Sequence, residues 1–83
     1  MPNPAAIPFE LREETIELAQ LLKATGACDT GGAAKHAVQG GEVSVNGAAE
    51  TRRGRKLHAG DVVVYRGRAY ELRPPPGSPR SGG

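Results

Sequence analysis

The chain has 83 residues, a single cysteine and a formal net charge of +2 at pH 7. A chain of this length forms one small domain, and a single thiol excludes an internal disulfide. No apolar run approaches the roughly 20 residues that cross a bilayer, so we expect a cytoplasmic protein without a membrane partner.

The charge is distributed unevenly along the chain. Residues 1–50 hold three Lys or Arg against seven acids, whereas residues 51–83 hold eight against two. The two parts therefore carry net charges of −4 and +6. Such an asymmetry indicates a nucleic acid or a membrane surface as partner, or else basic residues that simply keep a small domain in solution.

The beginning of the chain predicts a short strand followed by a helix. Residues 1–8 contain three prolines and should be irregular, because proline supplies no backbone donor. Phe9 to Arg12 alternates apolar and polar side chains, which is typical of an edge strand. Ile16 to Ala24 has a helical pattern, for which Thr15 is the predicted N-cap and Gly26 the terminating residue.

A second, weaker helix is predicted before Gly40 and Gly41. Asp29 or Thr30 can cap this helix at its start. Two glycines in its first turn lower its stability by roughly 1 kcal/mol each relative to alanine. The helix therefore depends on packing through a small apolar face, which comprises Ala33, Ala34, Ala37 and Val38.

The remainder of the chain predicts strands joined by tight turns. Alternating side chains predict a strand at 43–45, and residues 48–50 can return as its short partner. The apolar run at 62–65 predicts a buried strand, which pairs in a hairpin with residues 69–72. Asn46-Gly47 favours the tight turn of the first hairpin, and Arg66-Gly67-Arg68 turns the chain in the second. Residues 74–83 are rich in Pro, Gly and Ser, and we expect them to form a disordered tail.

A dense basic run lies between the two predicted hairpins. It consists of Arg52, Arg53, Arg55 and Lys56, with Arg66 and Arg68 in the next turn. Arginine keeps its charge at any physiological pH and presents fixed donors to phosphate oxygens, and phosphate binding releases condensed counterions. A solvated loop without a partner is the alternative interpretation of a charge run. Like charges on a tight connection destabilise it unless something offsets them, which favours a polyanionic partner.

The aromatic content indicates how such a partner would be recognised. The aromatic residues are Phe9, Tyr65 and Tyr70. A core this small needs all three rings, which leaves few of them to stack on the bases of single-stranded RNA. The sequence therefore predicts a structured RNA that is recognised by its shape and backbone.

No set of residues indicates an enzyme, a cofactor or a metal site. His36 and His58 have no cysteine pair nearby, and Cys28 lies eight residues before the nearer histidine. The paired glycines lack the Lys-Ser/Thr ending of a phosphate-binding loop. We therefore expect a non-enzymatic protein with no cofactor and no small-molecule substrate.

Several segments, taken in order, resemble the S-four RNA-binding domain, which is named after a small-subunit ribosomal protein. These segments are Leu18–Gly26, Asp29–Gly41, Val43–Gly47 and Leu57–Val62. The similarity is greatest to the small stand-alone YbcJ-like group, and it covers residues 9–73. The resemblance implies an α+β fold in which two antiparallel helices pack on a small twisted, mostly antiparallel sheet. It also implies that RNA is held by the helix pair and the adjoining loop.

The resemblance, together with the distribution of basic residues, gives the candidate RNA contacts, and the resemblance implies which RNA is bound. The candidate contacts are Lys23, Lys35, Arg52, Arg53, Arg55, Lys56, Arg66 and Arg68. Of the helix residues, Lys35 falls where the family usually has a basic residue, whereas Gly31 and Gln39 stand where many members carry cations or polar helix formers. Glu42 should repel phosphate, so binding is expected to depend on the loop. The implied partner is ribosomal or transfer RNA, bound by a monomer.

A ubiquitin-like sulfur-carrier fold is the alternative interpretation. Proteins of that fold also have segments that resemble Val45-Asn46-Gly47 and Gly60-Asp61-Val62, and they end in a glycine pair such as Gly82-Gly83. Their chemistry uses the terminal glycine carboxylate directly after the last strand, whereas here Pro74–Pro76 intervene. Their opening hairpin and single helix also disagree with the one short strand and two helices predicted at the start of this chain.

Overall fold

The computed structural model describes residues 6–76, which form two helices and seven short strands. The helices are α1 (Leu18–Ala24) and α2 (Gly31–Gln39). The strands are β1 (Ala6–Glu10), β2 (Ile16–Glu17), β3 (Val43–Val45), β4 (Ala48–Ala49), β5 (Lys56–Leu57), β6 (Val62–Tyr65) and β7 (Arg68–Arg73). Five strands form one sheet in the order β1-β7-β6-β3-β4, and β2 pairs with β5 in a separate ribbon.

The sheet is mostly antiparallel and is built from the two predicted hairpins. Asn46 and Gly47 have φ angles of 53° and 87°, and Arg66 and Gly67 have φ angles of 52° and 77°. Two successive positive φ angles match the twist of a two-residue hairpin, which explains the position of both turns. Among the strand pairs of the described chain, β1 and β7 run parallel and the others run antiparallel. The helix pair and the mostly antiparallel sheet confirm the predicted fold class.

The first strand begins earlier than the sequence pattern predicts. β1 runs from Ala6 to Glu10 rather than from Phe9 to Arg12, so the prediction that residues 6–8 are irregular is wrong. Pro8 is accommodated because β1 is an edge strand, where one missing donor costs little. Leu11 follows the strand and is buried in the core. Residues 1–5 of the predicted N-terminal segment, and residues 77–83 of the predicted tail, lie outside the described part of the chain.

The first helix begins two residues later than predicted. Ile16 and Glu17 form β2, in register with Leu57 and Lys56. Glu17 is the N-cap residue and makes no side-chain cap, so the prediction of Thr15 as the cap is wrong. The pattern at Ile16 fits a helix, but a partner strand about forty residues later in the chain determines the structure instead.

The second helix has the predicted cap and a narrower buried face than predicted. The Thr30 side chain accepts a hydrogen bond from the Ala33 N–H at 3.0 Å, which selects Thr30 over Asp29 as the cap. The buried residues of the helix are Ala34, Ala37 and Val38. Ala33 is exposed, because it lies on the side of the first turn away from the core.

The core lies between the helices and the sheet and consists mainly of aliphatic side chains. The largest fully buried side chains are Leu11, Leu18, Leu21, Leu22, Leu57, Leu72, Val38, Val43 and Val63. Tyr65 and Tyr70 are also buried, and Phe9 packs against the core from the edge. The aromatic rings therefore contribute to packing, as the sequence predicts.

Replacing Gly31 with alanine is expected to stabilise the protein. An added Cβ at this position meets no atom within 4 Å, and the residue has ordinary helical geometry. Alanine restricts the unfolded chain more than glycine does, so Gly31→Ala should raise the free energy of unfolding by about 0.4–1 kcal/mol in a urea titration. Gly47→Ala is the matched control: it should lower stability, because its φ of 87° is strained for any residue with a Cβ.

Candidate nucleic-acid interface

The basic run lies on the connection from β4 to β5 and ends at Lys56, the first residue of β5. We call residues 52–56 the basic loop, and backbone hydrogen bonds attach it to α1. The Leu18 N–H donates to the carbonyl of Arg55, and the Ala19 N–H donates to the carbonyl of Arg53, both at 3.0 Å. The first N–H groups of a helix have no acceptor within the helix. Here the loop carbonyls accept from these groups, in the place of a capping side chain. The loop is thereby fixed against the start of α1.

A buried carboxylate holds the same loop from the other side. Glu50 has 7% of its surface exposed and lies directly after β4. Its Oε2 accepts from Nε and from the backbone N–H of Arg52, both at 3.0 Å. Its Oε1 accepts from a terminal nitrogen of Arg55 at 2.8 Å and from one of Arg52 at 3.3 Å. The carboxylate therefore organises both guanidinium groups and the turn between them.

The electrostatics of the loop follow from these bonds. The Arg52 side chain, then the Arg55 side chain, then the backbone N–H of Arg52 lower the pKa of Glu50 to about 2. The carboxylate is therefore ionised at neutral pH, and its ion pair also raises the pKa of Arg52. The prediction that a partner must offset the crowded charges is wrong for these two arginines, because Glu50 offsets part of their charge within the protein.

The loop still presents positive charge to solvent. Arg53 and Lys56 are exposed, and within residues 6–76 neither takes part in an ion pair. The Arg52 side chain is 74% exposed although its inner edge contacts Glu50, whereas that of Arg55 is 35% exposed. Arg53, Lys56 and the outer edge of Arg52 are thus the accessible cations of the loop.

The turn between β6 and β7 lies at the same end of the sheet as Glu50. Val43 is in register with Tyr65, and Tyr65 is in register with Arg68. The Glu50 N–H donates to the Val43 carbonyl at 2.9 Å, which extends this row of residues to the start of the basic loop. The hairpin turn and the start of the basic loop therefore lie at one end of the five-stranded sheet.

Arg66 at this turn is positioned by a ring and a carboxylate. Its guanidinium carbon lies 5.4 Å from the centroid of the Tyr65 ring, which is within the range of a cation–π contact. Its Nε lies 3.8 Å from Oε1 of Glu42. Glu42 therefore lies beside a cation of the hairpin and lowers the local positive potential. This position is consistent with the prediction that Glu42 repels phosphate.

Two of the predicted contacts lie on the helices rather than at this end of the sheet. Lys23 is in the last turn of α1 and Lys35 is in the middle of α2, and both side chains are exposed. The structure thus brings Arg52 and Arg55 together on Glu50, with Arg53 and Lys56 in the same loop, and places Arg66 and Arg68 at the turn beside the start of this loop. The two lysines extend the positive charge along the helix pair.

Glu50 is the residue that sequence reasoning missed. Its position in the sequence pattern indicates only the return strand of the first hairpin. The available signal was a single acid placed two and five residues before Arg52 and Arg55, in a segment that is otherwise cationic. A reader of the sequence could have predicted an ion pair from this spacing, but not the burial of the carboxylate.

Asp61 and Cys28 have structural roles in the described chain. The Asp61 carboxylate accepts from the His58 N–H at 2.8 Å and from the Asn46 amide at 3.1 Å, so Asp61 caps its turn. Cys28 is buried.

Between residues 6 and 76, no group of three or more His, Cys, Asp or Glu could hold a metal ion. Within the same range, no helix has the length and apolar character to span a membrane.

The helix pair on a small sheet, with a cationic loop fixed to the start of α1, defines a compact α+β module with a polar surface at one end. The chain belongs to the S4 domain family, whose model matches residues 9–73. It is similar to the solution structure of YbcJ from Escherichia coli, described as having an alfaL motif involved in RNA-binding, with a TM-score of 0.63 and 38% identity over 88% of this chain and 91% of that one. This match is also inconsistent with the ubiquitin-like alternative.

Bacterial relatives show the same family in sequence. A Bacillus subtilis protein named "Probable ribosome maturation protein RlbA" is 44% identical over 62 residues, which cover 75% of this chain and 87% of that protein. YbcJ of Escherichia coli is 40% identical over 57 residues, which cover 69% of this chain and 81% of YbcJ. These identities over most of each chain agree with the similarity of the folds.

Proposed function

We propose that this protein binds structured RNA without catalysing a reaction, and that it holds the RNA by its phosphate backbone. The observation that carries this proposal is the basic loop, which is fixed to α1 by two backbone bonds and to Glu50 by its arginines. A loop that is ordered before binding loses little conformational entropy when it contacts a partner. Membership of the S4 domain family and the names of the relatives support the same function.

The proposed contacts differ in their roles. Arg53 and Lys56 have no carboxylate partner in the described chain, so we assign them to phosphate oxygens. Arg66 and Arg68 reach the backbone from the hairpin at the same end of the sheet, and Lys23 and Lys35 contact it along the helix pair. Arg55 is largely enclosed by its bond to Glu50 and acts mainly to hold the loop.

Ribosomal or transfer RNA is the proposed partner, and a cytoplasmic monomer is the proposed form. The relative named for ribosome maturation favours ribosomal RNA of the two. Phosphate contacts position a protein on RNA but carry no sequence information, so we expect the protein to select a folded shape.

The affinity for RNA should fall steeply as salt is added. If four to six phosphates are neutralised, the logarithm of the affinity should change with the logarithm of salt concentration at a slope of about −3 to −5. Polarisation titrations of a labelled ribosomal RNA fragment at several potassium chloride concentrations would measure this slope. A slope near zero would contradict the electrostatic mechanism, and a lack of binding at low salt would contradict the function itself.

A further inference from the structure

The structure of the Arg52–Glu50 pair suggests a contact other than phosphate binding. Arg52 uses Nε and one terminal nitrogen side by side on the two oxygens of Glu50, at 3.0 and 3.3 Å. This is one of the two donor edges with which a guanidinium group binds a phosphate in a bidentate manner. Arg52 is therefore less suited to phosphate than its position in the basic run indicates.

The same contacts leave the plane of the Arg52 guanidinium group accessible. The side chain is 74% exposed, whereas that of Glu50 is 9% exposed, so the pair is anchored in the protein and open outward. The Arg52 backbone N–H also bonds to Glu50 at 3.0 Å, which fixes the base of the side chain as well as its end. An exposed planar cation is thus held in one orientation before any ligand binds.

We propose that the Arg52 guanidinium group, oriented by Glu50, is a stacking site for an unpaired RNA base. RNA-binding proteins stack unpaired bases on arginine planes as well as on aromatic rings. The aromatic rings of the described chain are buried or pack against the core, so the fixed guanidinium plane of Arg52 is a flat surface that the basic loop itself presents. Glu50 is then a positioning residue, because it acts on the base through Arg52.

The proposal rests on the proposed function and makes the partner more specific. Phosphates bound by Arg53 and Lys56 would place an adjacent nucleotide next to Arg52 in the same loop. A base can reach the guanidinium plane only if it is free of its own helix. The preferred RNA therefore has an unpaired nucleotide next to a double-helical segment, rather than an uninterrupted duplex.

The test compares two hairpin RNAs that differ by one bulged adenosine. The wild-type chain should bind the bulged hairpin more tightly than the fully paired one. Arg52→Lys keeps the charge but removes the plane, so it should weaken binding to the bulged hairpin by about five- to fiftyfold and binding to the paired hairpin by less than about twofold. The matched control is Arg73→Lys, since Arg73 is another exposed arginine paired with a carboxylate, Glu71 at 3.1 Å. Arg73 lies at the opposite end of β7 from Arg68, and its substitution should change neither affinity.

A second measurement does not require a variant. A base stacked on the guanidinium plane should shift the Arg52 Nε–H resonance upfield through its ring current when the bulged hairpin is added. The proposal is overturned if this resonance does not move, or if Arg52→Lys weakens both hairpins equally. It is also overturned if the wild-type chain binds both hairpins with equal affinity, although the proposed function would then stand. Failure of the wild-type chain to bind either hairpin would instead reject the proposed function.

Discussion

Reversing the charge of Arg53 and Lys56 together, as Arg53→Glu and Lys56→Glu, should lower RNA affinity on the order of a hundredfold at moderate salt. Both side chains are exposed and have no ion pair in the described chain, so the substitutions remove attraction without breaking a salt bridge. Lys56→Glu places a second carboxylate opposite Glu17, so melting curves must show that the substituted chain is folded. The salt slope should decrease in magnitude by about two, because two phosphate contacts are lost. Polarisation titrations with several unrelated folded RNAs would measure both quantities.

The loss should be similar for every RNA, because phosphate contacts position the protein without reading bases. The matched control is the single variant Arg12→Glu set against the single variant Arg53→Glu, which changes the net charge by the same amount. Arg12 is exposed and forms no ion pair in the described chain, and it follows Leu11, whose N–H donates to the Arg73 carbonyl at the end of the sheet away from the hairpin turn. If the control loses as much affinity as the loop variant, net charge rather than the loop governs binding and the proposed interface is wrong.

Arg55 is unsuitable for charge reversal because of its contact with Glu50. A glutamate at this position would place two carboxylates against each other where the structure has a 2.8 Å ion pair. The sequence alone favours Arg53 and Arg55 as the pair to reverse, since both belong to the same run. The structure separates them: Arg53 faces solvent, whereas the Arg55 side chain is 35% exposed and holds the loop.

Local signals predicted the parts of the fold that depend on neighbouring residues. The Asn46-Gly47 turn is predictable because both residues tolerate positive φ, and the end of α1 is predictable from Gly26. The exposure of most loop cations is similarly predictable, because charged side chains are rarely buried without a partner. These features require only a few consecutive residues to be recognised.

Contacts distant in sequence explain what the patterns missed. Ile16 belongs to β2 because Leu57 lies opposite it, and no local feature of residues 16 and 17 indicates that partner. The partners of Glu50 are nearer in sequence, but its burial also requires the hairpin, since its N–H donates to the Val43 carbonyl across from β4. Glu50 has its role at the basic loop because Arg52 and Arg55 fold back over its carboxylate. Their spacing in the sequence permits this arrangement but does not require it.

Replacing Glu50 with glutamine should weaken both the fold and RNA binding, even though the substitution raises the net charge by one. A simple Coulomb argument predicts tighter binding to RNA, because a carboxylate near the phosphates is removed. We expect the opposite result, about a threefold to tenfold loss of affinity, because the freed Arg52 and Arg55 must be ordered when RNA binds. Titration of a folded RNA against both proteins, together with their melting temperatures, would distinguish the two results.

The dependence of stability on pH provides the control for this variant. Contacts with Arg52, with Arg55 and with the backbone N–H of Arg52 lower the pKa of Glu50 from its ordinary 4.5 to about 2. The carboxylate therefore contributes its full stability above pH 4.5, and the contribution is lost as the pH falls through about 2. The difference in unfolding free energy between the wild-type chain and Glu50→Gln should be largest near neutral pH, and it should shrink steadily over that acid range. A difference that stays constant down to pH 2 would show that the ion pairs of Glu50 do not hold the loop.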